Sequence, residues 1–191
     1  MLETVLMYNS PDRARFRHGA LWRQWAREYP WVFDEADVRL VAPRARHGRL
    51  FSEWLAATFY GRQGYRVLIG KYQFAMAQPR KSETFRRIAP KAVVDLPTLG
   101  GAFGRRQGPD LFVYSKDERT WFFAEVKGSG DTVSDEQKEL FAEIEQRSGG
   151  KDVVIVRTVA YDGATHRRTT RCTGPGLALL APAGERGRPA A

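Results

Sequence analysis

Cysteine and histidine are scarce in this sequence of 191 residues, which contains one cysteine, Cys172, and three histidines. A single cysteine excludes a disulfide framework within the chain and a cysteine-based zinc site. His18, His47 and His166 show no spacing typical of metal ligands, and there is no G-x-S-x-G or phosphate-loop motif. Cys172 is expected to be a buried or indifferent thiol, because nothing nearby would lower its pKa and make it a nucleophile.

Long apolar runs are missing as well. No segment approaches the length of about 20 apolar residues that a membrane helix needs. The first residues, Met1 to Met7, lack the basic flank and apolar stretch of a signal peptide, so we expect a cytoplasmic protein without a membrane partner.

Acidic residues are outnumbered: 31 lysines and arginines face 22 aspartates and glutamates, which gives a net charge of +9. This balance is typical of proteins that bind a polyanion, nucleic acid first and an anionic membrane surface second. A protein that is basic only because charge keeps it soluble would have the same balance, and the charge alone does not favour either explanation. An acidic cluster inside the basic chain favours nucleic acid.

Two apolar runs in the middle of the chain predict a β-hairpin. Residues 110–114 and 121–127 are separated by the polar residues 115–120. Because side chains alternate along a strand, Glu125 and Lys127 point to the same face. A strand this apolar is expected to be buried on both faces, where charges are costly unless they pair, bind a metal or face a cleft.

Asp110 begins the first run of the hairpin, so neighbouring strands would bring it close to Glu125. Carboxylate oxygens are hard ligands that suit Mg²⁺ or Mn²⁺. The residues alone leave an alternative open, in which Glu125 and Lys127 form a partly buried ion pair and Asp110 caps a turn after Pro109.

A helix and a strand are predicted after the hairpin. Ser134 and Gln137 have the spacing of a capping box, and Gly149–Gly150 would end the helix. Residues 152–159 read as a buried strand. The strand–helix–strand order predicts that 121–127 and 153–159 are parallel, joined by a right-handed crossover in a mixed sheet.

These motifs resemble the signature of the PD-(D/E)xK nuclease superfamily and are closest to its VRR-NUC (virus-type replication-repair nuclease) branch. The resemblance covers roughly residues 48 to 160. It implies a restriction-endonuclease-like core of the α/β (α+β) class, with a mixed β-sheet flanked by helices. The residues that match, in chain order, are Pro109, Asp110, Glu125, Val126, Lys127, Gly128, Asp131, Ser134 and Gln137.

The resemblance implies a metal-dependent DNA endonuclease that hydrolyses phosphodiester bonds with a metal-activated water. Branched, flap or nicked DNA are the implied substrates, and DNA repair, phage biology or restriction the implied settings. Mg²⁺ (or Mn²⁺) would be held by Asp110, Glu125, the carbonyl of Val126 and Glu53, the acid on the helix before the first strand. The implied catalytic residues are Asp110, Glu125, Lys127, Gln137 and Glu53.

Two of these residues have a purely structural explanation too. Gln137 is explained by the capping box, and Glu53 by a favourable position near the positive end of a helix dipole.

Three segments divide the sequence. Residues 1–47 are predicted to be a basic and aromatic helical extension, in which Ser10 caps one helix that continues to Tyr29. Residues 48–160 form the nuclease-like domain. Residues 161–191 form a tail that is first basic and then rich in glycine, proline and alanine.

Within the central segment we expect a helix over 49–64, strands over 65–69 and 71–76, and a long connection over 78–108 with some helix near 83–88. Several basic residues there and in the tail are candidates for holding a phosphate backbone, although a plain solvated loop is as good an explanation. They are Arg80, Lys81, Arg86, Arg87, Arg105, Arg106, Arg167 and Arg168.

The expected partner is DNA, with RNA not excluded, and a homodimer or a larger complex is the expected assembly. Two alternatives stay open: a non-catalytic nucleic-acid-binding module, and an interaction subunit of a larger DNA-processing or defence complex. The first alternative predicts salt-sensitive binding without cleavage, and the second predicts little DNA affinity at physiological salt.

Overall fold

The computed structural model describes residues 2–70, 72, 78–96, 108–150, 153–161 and 177–178. These ranges contain both helices and strands. In chain order they are β1 (Glu3–Asn9), α1 (Ser10–Arg17), α2 (Ala20–Glu28), α3 (Glu35–Ala45), α4 (Phe51–Arg62), β2 (Arg66–Ile69), α5 (Pro79–Ile88), α6 (Lys91–Val94), β3 (Leu111–Tyr114), β4 (Trp121–Lys127), α7 (Asp135–Arg147), β5 (Val153–Tyr161) and β6 (Leu177–Ala178).

The strands form one mixed sheet in the order β2-β3-β4-β5-β1-β6. The pairs β2–β3 and β3–β4 are antiparallel, whereas the pairs β4–β5, β5–β1 and β1–β6 are parallel. The predicted hairpin and the predicted parallel pairing of β4 with β5 are both confirmed. The chain is therefore an α/β protein with a mixed sheet, as expected.

Helices cover both faces of the sheet and bury two separate hydrophobic clusters. On one face, α1 to α4 pack on alternate strand residues such as Val113 and Ala124. On the other face, α5, α6 and α7 pack on Phe112 and Phe123. Adjacent strand residues belong to opposite clusters, as the period of two in a strand requires. Glu125 and Lys127 follow Phe123 by two and four residues and so lie on the face that α7 covers.

The helices are short. The longest in the described ranges, α7, has 13 residues. A membrane-spanning helix needs about 20, and none of the described helices is long and apolar enough to cross a bilayer.

The N-terminal segment differs from the prediction in three respects. Residues 3–9 form strand β1, which the sequence analysis missed, and this strand pairs with β5 inside the sheet. The expected single helix is broken into α1 and α2 at Gly19, which has a φ of +86°. Ser10 is the first residue of α1, and the capping position belongs to Asn9, which makes no side-chain cap. The boundary at residue 47 stays a prediction.

The predicted long connection over 78–108 is wrong for its first part. Residues 79–88 and 91–94 are helical, and Phe85, Val93 and Leu96 are buried in the cluster beneath them. The apolar side chains of these helices have helical spacing, but many charged residues separate them in the sequence. The helical pattern is therefore hard to recognise from the sequence. The predicted strand over 71–76 lies outside the described residues except for Tyr72, and so do residues 97–107 and the tail apart from 177–178.

Candidate functional site

The register of the hairpin determines where the two candidate carboxylates lie. Leu111 pairs with Ala124, so the preceding residue, Asp110, lies opposite Glu125. Oδ2 of Asp110 accepts a hydrogen bond of 2.9 Å from the backbone N–H of Val126. The Asp110 side chain thus crosses to β4 and lies beside the Glu125 carboxylate at the edge where β3 begins and β4 ends.

Glu125 is buried, with 5% of its surface exposed, and its carboxylate is held by two side chains. Oε1 accepts a hydrogen bond of 2.6 Å from Nε2 of Gln137. The same oxygen lies 2.9 Å from Nζ of Lys127. Lys127 also donates to Oε1 of Gln137 at 2.9 Å, so the three side chains form a closed ring of contacts. A buried carboxylate needs such partners to offset its lost hydration.

Gln137 belongs to this ring and to the helix cap at once. Its Oε1 accepts from the backbone N–H of Ser134 at 3.2 Å, while Oγ of Ser134 accepts from the backbone N–H of Gln137 at 3.2 Å. The predicted capping box is therefore confirmed. Because Oε1 of Gln137 also accepts from Lys127, the cap fixes the start of α7 relative to the charged pair. The structural explanation and a site role coexist at this residue.

A hydrogen-bonded chain ties α4 to the same edge. Oγ1 of Thr158 on β5 donates to the backbone carbonyl of Lys127 at 3.3 Å and lies 2.8 Å from Oγ of Ser52. Ser52 is the neighbour of Glu53 in the first turn of α4. Sequence reasoning missed Thr158 and Ser52, because nothing local indicates that residues 106 positions apart meet.

Tyr72 is a third residue that the sequence analysis did not assign to the site. Its hydroxyl donates a hydrogen bond of 2.8 Å to the carbonyl of Pro109, and its ring is fully buried. Burial, followed by the nearby charges of Asp110 and Glu125, raises the pKa of this hydroxyl well above its ordinary value. Tyr72 therefore acts as a neutral donor that supports the turn carrying Asp110.

The carboxylates of the site influence one another. Burial raises the pKa of Asp110 well above its usual range, and the Glu125 and Glu53 charges raise it further. Burial, with a smaller contribution from Glu125, also raises the pKa of Glu53. Three acids, one just before β3, one on β4 and one on α4, thus share one electrostatic environment. Negative charge concentrated in a dry site favours either a proton or a cation there.

The donors partly match a metal site. Among the residues that the structure describes, no three Asp, Glu, His or Cys side chains gather closely enough to hold an ion by themselves. In an extended strand the N–H and C=O of one residue face the same neighbouring strand. The Val126 N–H faces Asp110, so the Val126 carbonyl does as well. Asp110, Glu125 and this carbonyl would offer only oxygen, the donor set that suits Mg²⁺ or Mn²⁺.

The basic candidates on α5 are not equivalent. Arg80, Arg86 and Arg87 are exposed. Arg87 pairs with Glu118 at 2.6 Å, in the turn at the opposite end of the hairpin from Asp110. Arg87 is therefore remote from the acidic edge. Arg105, Arg106, Arg167 and Arg168 lie outside the described residues.

Lys81 is a correction, because the structure buries it. Only 5% of its surface is exposed, and its ammonium group pairs with the buried carboxylate of Asp37 on α3. The ammonium group also donates to the carbonyl of Ile69 at 3.4 Å. A lysine with these partners is not free to meet a phosphate at the surface, so its assignment to nucleic-acid binding is wrong.

No protein-family model matches the chain, and a search of curated proteins finds no related sequence. The resemblance to PD-(D/E)xK nucleases stays a prediction based on the residues quoted above.

Proposed function

We propose that this chain is a metal-dependent DNA endonuclease of the PD-(D/E)xK superfamily, closest to the VRR-NUC branch. The observation that carries the proposal is the ring formed by Glu125, Lys127 and Gln137, with Asp110 bonded to the next backbone N–H. Four residues that match the family signature, drawn from two strands and a helix, meet at one edge. A chance match to short motifs would not require this convergence.

The order of the elements supports the same proposal. A helix that carries the acid Glu53 precedes three antiparallel strands, and the third strand carries the E-x-K residues. A crossover helix with Gln137 then leads to a parallel strand. This is a mixed sheet flanked by helices, which the resemblance implies for a restriction-endonuclease-like core.

Each group has a defined task in the proposed reaction. A bound Mg²⁺ would lower the pKa of a water molecule and neutralise charge that develops on the phosphate. Asp110, Glu125 and the Val126 carbonyl would hold the ion. Glu53, on the opposite helix layer, would act through a water molecule or serve a second ion.

Lys127 is positioned to assist the attack on phosphorus. The Lys127 side chain is 13% exposed, and its ammonium group is held between Glu125 and Gln137. From there the ammonium group would orient the attacking water or stabilise the additional charge on the phosphate oxygens, and the lysine would take up the proton of the water only from its neutral amine form. Gln137 fixes the ammonium group in place while leaving it a donor toward the substrate.

The charge of the chain supports a nucleic-acid substrate. The net charge of +9 coexists with buried acids at one edge of the sheet, and basic surfaces bind phosphate backbones whatever their sequence. The finer proposal is that the substrate is branched, flap or nicked DNA. The proposed setting is DNA repair, phage biology or restriction, and both proposals follow from the family resemblance.

One observation favours a second candidate, a non-catalytic nucleic-acid-binding module. The Glu125 carboxylate already has two side-chain partners within the protein, so the cluster is satisfied without a metal. In that case the ring would be a structural ion pair that stabilises the sheet edge.

A cleavage panel separates the two candidates. The substrates are supercoiled plasmid, branched, flap and nicked oligonucleotides, single-stranded DNA and RNA, each with Mg²⁺, with Mn²⁺ and with chelator. The nuclease proposal expects cleavage of at least one DNA substrate that chelator abolishes. Salt-sensitive binding without cleavage in either metal would favour the binding module instead.

A further inference from the structure

The turn between α3 and α4 carries an exposed basic cluster outside the acidic site. Residues 44–49 read Arg-Ala-Arg-His-Gly-Arg and contain no acid. Arg44, Arg46, His47 and Arg49 are all exposed, and Ala45 alone in the segment is buried. We call these residues, together with Arg17, the α3–α4 basic cluster. None of them was assigned a role from the sequence.

The arginines of this cluster have no carboxylate partner in the described part of the chain. Other surface arginines do: Arg15 pairs with Asp12, and Arg147 with Glu143. Uncompensated positive charge at four guanidinium groups creates a local positive potential that attracts anions. Guanidinium groups present a planar fork of donors, which matches phosphate oxygens.

The cluster stands on a rigid support. The turn is closed by backbone hydrogen bonds from His47 and Arg49 to the carbonyl of Arg44, at 3.1 and 3.2 Å. Gly48, at a φ of +69°, leaves room for the Arg17 side chain: a Cβ there would lie 3.1 Å from Nε of Arg17. Arg17 is thereby brought from α1 to the turn. A preorganised set of donors loses less freedom when it binds a ligand.

The cluster borders the proposed active site. Arg49 precedes Glu53 by four residues, and the neighbouring Ser52 is linked through Thr158 to the carbonyl of Lys127. The basic turn leads directly into α4, and the first turn of α4 is connected to the acidic edge by two hydrogen bonds. A duplex or strand bound at the acidic edge would extend over this turn.

We propose that the α3–α4 basic cluster binds the phosphate backbone of the nucleic-acid substrate beside the bond that is cut. This inference rests on the proposed function and adds a substrate-binding surface to it. The cluster replaces Lys81 and the remote Arg87 as the principal phosphate contact in the described residues. Such contacts position the substrate and carry no sequence information.

The test compares two double variants of equal charge loss. Arg46→Gln/Arg49→Gln removes two charges from the cluster. Lys116→Gln/Arg119→Gln removes two exposed charges from the turn between β3 and β4, at the opposite end of the hairpin. Binding of a fluorescent DNA duplex is measured by anisotropy with chelator present across a series of salt concentrations, and cleavage is measured separately with Mg²⁺. Circular dichroism melts confirm that both variants are folded.

The cluster variant is expected to bind on the order of tenfold more weakly and to lose about one unit of salt slope for each phosphate contact removed. The matched variant is expected to retain most of its affinity. Equal losses in both variants, or no loss in the cluster variant, would overturn the inference even if the natural chain cleaves DNA. The expected loss of binding in a chain that never cleaves would support the cluster as a phosphate-binding surface, but it would contradict the nuclease proposal and with it the position beside a bond that is cut.

Discussion

Gln137 donates a hydrogen bond of 2.6 Å from its amide nitrogen to the buried carboxylate of Glu125. The same side chain closes the capping box at the start of α7 and accepts from the ammonium group of Lys127. One residue thus links the stability of a helix end to the geometry of the proposed active site. The two contributions are separable by mutation.

Ser134→Ala and Gln137→Ala form a matched pair for this purpose. Ser134→Ala removes the cap and leaves the contacts with Glu125 and Lys127, so it is expected to cost about 1 kcal/mol of unfolding free energy and to retain cleavage. Gln137→Ala keeps the hydrogen bond from the backbone N–H of residue 137 to Oγ of Ser134. It removes the other half of the capping box together with the contacts to Glu125 and Lys127, so it is expected to cost about 1–3 kcal/mol and to lower the cleavage rate as well. Urea unfolding and single-turnover cleavage measure the two effects. Equal cleavage in both variants would show that Gln137 serves only the cap.

The Glu125–Lys127 pair is expected to be energetically coupled. Removing Lys127 alone leaves a carboxylate that is only 6% exposed without its cation, which should cost about 3 kcal/mol. The double variant Glu125→Gln/Lys127→Met removes both charges and should be destabilised less than the sum of the single variants, with a coupling of about 1–3 kcal/mol. Denaturant unfolding with chelator present measures all four proteins. Additive effects would mean that the pair contributes nothing to the fold.

A pH dependence is expected from the buried pair of Asp37 and Lys81. Burial raises the pKa of Asp37 from 3.8 to about 6, despite the opposing effect of Lys81. The folded state therefore holds this proton more tightly than the unfolded state does, and the stabilising contribution is full below 3.8 and lost as pH rises through 6.

The pKa of Asp37 is 3.8 in the unfolded chain and about 6 in the folded chain. Relative to Asp37→Asn, the natural chain should therefore lose about 2 kcal/mol of unfolding free energy between pH 4 and pH 7. Urea unfolding at several pH values measures the difference. The exposed variant Asp95→Asn serves as the control, for which no such slope is expected. A difference that grows in favour of the natural chain as pH rises would contradict the assignment.

Local patterns account for the features of the fold that the sequence predicts correctly. The hairpin, the alternation of faces along β4 and the capping box of α7 each depend on residues within one short segment. Glu125 and Lys127 could be placed on a common face for the same reason. Their partner Gln137 could be named only because the family resemblance singles it out.

Contacts between distant segments account for what was missed. Strand β1 gains its partner from β5, where Glu3 pairs with Ile155, and no local pattern reveals a pairing across that separation. Lys81 reads as a surface cation, yet it is neutralised by Asp37 on another helix. Tyr72 contacts Pro109, and Thr158 contacts Lys127, across long separations in the sequence, so no local pattern places either residue at the site. The break at Gly19 was visible as a glycine, but its positive φ depends on how α1 and α2 pack.

The rate of Mg²⁺-dependent cleavage of supercoiled plasmid, measured for the natural chain, Asp110→Asn and Glu125→Gln, tests the central claim most directly. Both substitutions keep an oxygen that accepts the hydrogen bonds now made to Val126 and Gln137, so the variants should fold. The account predicts cleavage by the natural chain that chelator abolishes and a fall of about 10²–10³-fold in each variant. Full activity in either folded variant would contradict a shared metal ion between Asp110 and Glu125.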